Sequence, residues 1–203
     1  MSRGGNAILL VAVVAIALIA VAVASVLHDG VSSRAKPTAL EAMMAREVRH
    51  MAIPASARGA QNPIVETQEN LRDARLHFAD HCAICHANDG GGDTPIGRNL
   101  YPKPPDLRQE DTQKLADGEL FWIIENGVRF TGMPAFGGAP GSDQDSWKLV
   151  RFIRHLPRLT EEERMEMGRF NPKGPEDLEE EQEENDFLRG APVQQKPEET
   201  HHH

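Results

Sequence analysis

Two cysteines three positions apart, with a histidine directly behind them, constrain this chain more than any other stretch: Cys82-Ala83-Ile84-Cys85-His86. On one helical turn the two thiols occupy adjacent parts of the surface, and the imidazole behind them can swing under a flat group the thiols hold. C-x-x-C-H is the spacing that attaches a c-type haem, through two thioether bonds and with the histidine as an iron ligand. Two other chemistries use C-x-x-C. A thioredoxin-like redox pair needs a strand-helix-strand setting, and nothing upstream of Cys82 alternates like a strand. A structural zinc site needs two more ligands at good spacing, and the chain has no third cysteine. The expected cofactor is therefore one covalent haem c, with Cys82 and Cys85 as attachment points and His86 as a metal ligand.

Both cysteines are spent on the motif, so no structural disulfide is left over. A small domain outside the cytoplasm must then find its core elsewhere, and a large, buried apolar disc fills that need. The net charge of −9 is unevenly spread. From Thr160 onward there are 14 acidic and 5 basic side chains, whereas residues 1–159 carry 17 of each. All the excess negative charge sits in the last fifth of the chain.

Ile8 to Leu27 is a run of twenty residues, nearly all Ala, Val, Ile or Leu, without a charge. As a helix it reaches about 30 Å, the thickness of a bilayer's hydrocarbon core. Arg3 in front and His28-Asp29 behind keep the amino terminus in the cytoplasm and export the rest of the chain. The competing reading is a cleaved signal peptide, for which Ala22-Val23-Ala24 has the small-x-small form; a fully spanning apolar run favours a retained anchor. Under both readings the cysteines end up outside the cytoplasm, which is where c-type haem is attached. The expected location is the cytoplasmic (inner) membrane of a bacterium, with the haem domain on its periplasmic side. The chain thus divides into residues 1–28, an anchor, 29–65, a connector, 66–160, the haem domain, and 161–203, an acidic tail too poor in apolar groups to offset its ordering entropy. His201 to His203 is either a tag remnant or the start of a metal-binding tract.

In the connector, Pro37-Thr38 starts a helix whose Leu40, Met43, Met44 and Val48 recur at three-to-four spacing until Ile53-Pro54 stops it. That stripe should rest on the haem domain or on a partner. Met43, Met44 and Met51 are conceivable iron ligands, but packing is the ordinary role of methionines so spaced. Ala57 to Val65 reads as loop. Glu66 to Ala83 is predicted as a helix capped by Thr67 that runs into the motif with Leu71, Ala74, Phe78 and Cys82 on one face. His77 and His81 lie on other faces as solvated residues. The turn Asn88 to Gly92 leads into "TPIGRNLYPKPPDL", residues 94–107, whose four prolines make a stiff strap suited to walling a cofactor. Arg98 and Tyr101 are its candidates for binding haem propionates; the alternative is that Arg98 is simply exposed.

Asp117 opens a helix that Asn126-Gly127 closes. Behind it Met133 stands between Gly132 and Pro134 in a loop, where packing gains it little and the proline stiffens its backbone. A thioether so held suits the second axial position of the iron, opposite His86. Gln144 to Leu156 is the last core helix; His155 near its end complements the helix dipole. Thr160 and Glu163 form a capping box for a further short helix.

Together "CAICH", the glycine-rich turn, "YPKPPDL", "DGELFWIIENGVRFTGMPAFG" and "WKLVRFIRHLP" resemble a class I monohaem c-type cytochrome of the membrane-anchored bacterial type, over about residues 66 to 160. The resemblance implies an all-α fold in which the helix of Ala74 and Phe78 crosses that of Trp147 and Phe152. It implies low-spin iron ligated by His86 and Met133, and a proline carbonyl that orients the ligating imidazole, for which Pro95 is the fitting position. The family often has Gly where this chain has Ala74. The implied role is one-electron transfer between redox protein partners, a donor and an acceptor, with no catalytic residue, nucleic acid or small-molecule substrate. Two other roles stay open: a dedicated haem subunit of a larger oxidoreductase complex, and a sensor or enzyme in which Met133 is displaced.

Overall fold

In a computed structural model of the chain, which describes residues 3–29 and 32–189, every regular element is helical and no strand occurs among the described residues. The terminal histidines His201 to His203 lie outside them. Helix α1, Arg3–Asp29, contains the apolar run, and the window Ile8–Ser25 has a mean hydropathy of 3.1 with none of it buried against the rest of the chain. By length and composition it can cross a membrane.

Helix α2, Ala39–Ala52, begins where the sequence predicts. The Glu41 amide donates to Thr38 Oγ1 at 3.2 Å while the Thr38 amide donates to Glu41 Oε2 at 2.7 Å, so two amides that the first turn leaves unpaired are satisfied reciprocally. Its apolar stripe does not rest on the haem domain. The helix instead turns Ala42, Arg49 and the adjoining Ile53 inward, Ile53 being 1% exposed, and leaves Leu40, Met44, Val48 and Met51 facing outward. A short helix α3, Ala55–Arg58, stands at the start of the expected loop and packs on α7, Asp117–Asn126. The Ala57 carbonyl sits so close to Gly118 that a side chain there would collide with it. Asn62 Nδ2 donates to the Trp147 carbonyl at 3.0 Å and Arg151 Nε to that of Ile64 at 2.8 Å, so the connector is fastened along its length.

The centre is built on α4, Gln68–His77, packed against α8, Ser142–His155, with α7 also packed on α8. Ala74 and Phe78 from the first helix share one core with Leu149, Val150, Phe152 and Ile153 from the last, and with Leu120 and Ile124 of α7. Phe78 meets Phe152 edge-on at 5.2 Å, and Phe121 stacks on Trp147 at 4.1 Å. Such pairs add about 0.5–1.5 kcal/mol each to the burial of their area. The remaining helices are α5, Ala83–His86, α6, Glu110–Gln113, α9, Glu161–Gly168, and α10, Pro175–Leu188.

The boundary drawn at residue 160 falls one helix short. Thr160 caps α9 as expected, and α9 then lies against the domain with Met167 fully buried. Arg75, itself buried, donates to Glu163 at 2.6 Å and to Glu166, and His155 bonds Glu163 at 3.0 Å. The sequence hid this because α9 has only one core residue; charge pairing to a buried arginine supplies the rest. We expect Met167→Ala to cost about 2–5 kcal/mol of unfolding free energy, and Met165→Ala, whose parent is exposed, to cost little; chemical denaturation of the two variants measures the difference.

Candidate haem site

Between α4 and α5 the helix widens into a single π turn, Phe78–Cys82, and the motif begins there. Such turns insert one residue into the ladder and recur at functional sites. Both thiols are free. Burial, with the neighbouring Cys85, pushes the Cys82 thiol up to about 12, and burial raises Cys85 as well. A dithiol redox pair works by the opposite device, a lowered thiol pKa, so the surroundings argue against that use of C-x-x-C.

The His86 ring lies 6.4 Å from Phe78, and its Nδ1 is buried without a hydrogen-bond partner at normal geometry. Burial holds its pKa below the ordinary value, opposed by the facing carbonyl of Pro105. The neutral imidazole this favours is the form that binds a metal. Pro95 does not take the orienting role: it is exposed, and its carbonyl accepts from Asn99 Nδ2 at 2.8 Å. The reason lies in how the strap is anchored. It starts beside the motif at Thr94, runs outward through Pro95, and returns where the Leu107 amide donates to Gly90 at 2.9 Å, which brings Pro105 over His86.

Thr94 is a functional residue that is not among the sequence-predicted candidates. Its buried hydroxyl donates to the Ile84 carbonyl at 2.8 Å and accepts the Gly97 amide at 2.8 Å, so one side chain ties the strap to the motif turn. Gly97 is equally required. A Cβ there would lie 2.5 Å from the Gly92 carbonyl oxygen and 2.6 Å from that of Cys85. The segment Thr-Pro-x-Gly directly behind a glycine-rich turn is the signal that could have found both. After His86 the chain must reverse at once, and Ala87 does so with φ 60° and ψ 160°, a region that glycine occupies at no steric cost.

Met133 is held by a loop folded back on the end of α7. Gly127, at φ 64°, allows the approach, since a Cβ would lie 2.6 Å from Pro134 C and 2.8 Å from the Met133 carbonyl oxygen. The Val128 amide donates to Met133 at 3.1 Å, the Met133 amide to Thr131 Oγ1 at 3.1 Å, and the Phe136 amide to Ile124 at 3.1 Å. Met133 is half-buried against the core, and Leu100 of the strap packs on Gly132. The strap and the methionine loop thus meet.

Other candidates are drawn elsewhere. Met43, Met44 and Met51 are exposed on α2. Arg98 is exposed and paired with Asp93 at 2.7 Å, and Tyr101 donates to Glu41 of α2 at 3.3 Å. His81 pairs with Asp80 and its ring lies 4.8 Å from that of His77, tilted by 38°, while His155 is engaged by Glu163.

Two unpaired protonated thiols beside a buried neutral imidazole, with an acceptor facing its ring, fit a covalent haem c. Comparison with known families agrees: residues 69–153 match the family model described as cytochrome C oxidase, cbb3-type, subunit III. That stretch is a c-type cytochrome domain. No curated protein was found to match the chain. A cytochrome domain of this kind implies covalently bound haem c, and its chemistry is haem-based electron transfer.

The far end of the strap is closed by charge. Hydrogen bonds from Arg108 hold the Asp106 carboxyl down at about 2, and Arg108 also pairs with Asp89 at 2.6 Å beside the glycine turn. Because the folded-state pKa is depressed, this stabilisation is present above the ordinary value of 3.8 and is lost as pH falls toward about 2. The melting temperature of Asp106→Asn should therefore lie below that of the parent at neutral pH, with the gap closing between those two values in a pH series of melts. Ala87→Gly should stabilise by about 1 kcal/mol through relief of the positive φ, raising the melting temperature by about 4–8 °C; a lower one would refute the strain.

Proposed function

We propose that the chain is a membrane-anchored, class I one-electron carrier with a single haem c ligated by His86 and Met133. The observation that carries this reading is the pair of protein-supplied donors: His86 buried on the motif turn, and Met133 on a loop pinned to α7 and met by the strap. Bound haem supplies an iron centre that cycles between the ferric and ferrous states. His86 and Met133 would be the two residues that hold the iron, and with both engaged no position would be left for a substrate. The thioether favours the ferrous state and raises the reduction potential above that of a bis-histidine site. Pro105 rather than Pro95 orients the imidazole. Only two cysteines are present, which supports a count of one haem. The apolar helix α1 supports retention in the cytoplasmic membrane with the haem domain outside the cytoplasm.

A second reading is favoured by the description of the matched family, a subunit of a terminal oxidase. In it the chain is a dedicated haem subunit of an oxidoreductase complex, and its partners are fixed rather than exchanged. Mild detergent extraction separates the two: stoichiometric partners support the subunit, and a monomer that exchanges electrons with several proteins supports the carrier.

The test of the axial ligand is spectroscopic. The native protein should be low-spin with the weak far-red absorption of methionine sulfur on ferric iron, and Met133→Leu should become high-spin, bind carbon monoxide and lose tenths of a volt of potential, within the roughly 0.8 V that axial ligands span. Native protein that is already high-spin and binds carbon monoxide rapidly would overturn the carrier in favour of a sensor or enzyme. An intact mass of protein recovered from membranes reports the haem adduct and the fate of the leader together.

A further inference from the structure

Helix α2 is amphipathic the wrong way round for a helix of a soluble domain. Its attachments to the domain are polar: Arg46 pairs with Asp111 at 3.2 Å, His50 Nδ1 with Glu119 at 3.0 Å, and Glu41 accepts from Tyr101 at 3.3 Å. The apolar side chains face away, with Leu40 61%, Met44 56%, Val48 58% and Met51 72% exposed and Met43 at the edge of the same arc. These positions recur at three-to-four spacing, so they form one continuous stripe over three turns. Glu47, charged and exposed, lies between Met43 and Leu40 on this arc.

Two features identify what covers this stripe. Nine residues, 30–38, separate the end of α1 from the start of α2, a tether that spans at most about 30 Å. The local charge is also of the opposite sign to that of the chain. Residues 32–52 carry Arg34, Lys36, Arg46 and Arg49 against Glu41 and Glu47, an excess of two positive charges in a protein of net charge −9. Arg46 and Arg49 lie on the side of the helix toward the domain, and the exposed Arg34 and Lys36 stand in the tether next to the stripe. An apolar stripe entered through a basic tether suits a helix in the plane of a membrane, its apolar face sunk about 5–10 Å into the headgroup and acyl boundary. We propose that α2 lies in the interfacial layer of the bilayer that α1 crosses, so that the haem domain is held with its strap side, at Tyr101, turned toward the membrane. This rests on the reading of α1 as a retained anchor.

The test is depth measurement by nitroxide labels on the full-length, haem-bearing chain, one copy per lipid nanodisc containing zwitterionic and anionic phospholipids. Cys82 and Cys85 are consumed by the haem, so an introduced cysteine is labelled alone. Met44→Cys and Met51→Cys report on the stripe, with Val48→Cys as a substitute should either fail to retain haem. Ala17→Cys reports on the middle of α1, and Glu69→Cys, exposed on α4, reports on water. Oxygen should relax the labels at 44 and 51 more strongly than a water-soluble nickel chelate does, with the order reversed at 69. If 17 is in lipid while 44 and 51 behave like 69, the inference falls and the anchor stands; a second copy or another membrane protein would then be the cover. If 17 is also in water, the anchor reading fails and takes the inference with it.

Discussion

The packing of α4 on α8 is the constraint on which the rest of the molecule depends. Helix α4 runs without a break into the π turn and the haem-binding motif, so burying Ala74 and Phe78 against Val150 and Phe152 fixes where Cys82, Cys85 and His86 stand. The small side chain of Ala74 leaves the helices close enough to interlock at this contact. Phe78 serves twice, edge-on to Phe152 on one side and near the His86 ring on the other. The core and the site are therefore one structure.

What closes the site is backbone that approaches backbone. Gly92, Gly97 and Gly127 each stand where a Cβ would meet the backbone of another segment, and Gly90 stands where one would meet the Leu156 side chain. Such contacts bury polar backbone groups, and those groups are paired: Leu107 with Gly90, Gly92 with His86, Phe136 with Ile124. Thr94 adds the side-chain link. A stiff strap so pinned holds its shape at small entropic cost, which suits a centre that must change charge by one electron without rearranging.

Much of the fold is legible in the sequence because it obeys short-range rules. Thr38, Thr67 and Thr160 announce three helix starts, since a hydroxyl three residues ahead of an amide satisfies it in almost any protein. Asn126-Gly127 announces the end of α7 for the same local reason. The sequence points to Pro95 as the orienting proline, whereas in the structure Pro95 is exposed and the carbonyl that faces the His86 ring is that of Pro105, because all four prolines of the strap look alike until the path of the strap is known. The tail reads as featureless, yet α9 is held by Arg75 and His155, side chains 88 and 8 positions away from Glu163 that no local pattern connects to it.

By itself the sequence pointed to the cofactor, since C-x-x-C-H is the spacing of covalent haem attachment, and to the main core helices, whose periods and caps are written within a few residues. Only the tertiary structure decided which way each helix faces and which of several chemically equal residues meet. The stripe of α2 is the clearest case: its period is readable, but that Leu40 and Met44 turn outward is seen only in the tertiary structure, where Ile53 is buried, Arg46 meets Asp111 and His50 meets Glu119, pairings across more than sixty residues that exist only once the chain has closed on itself.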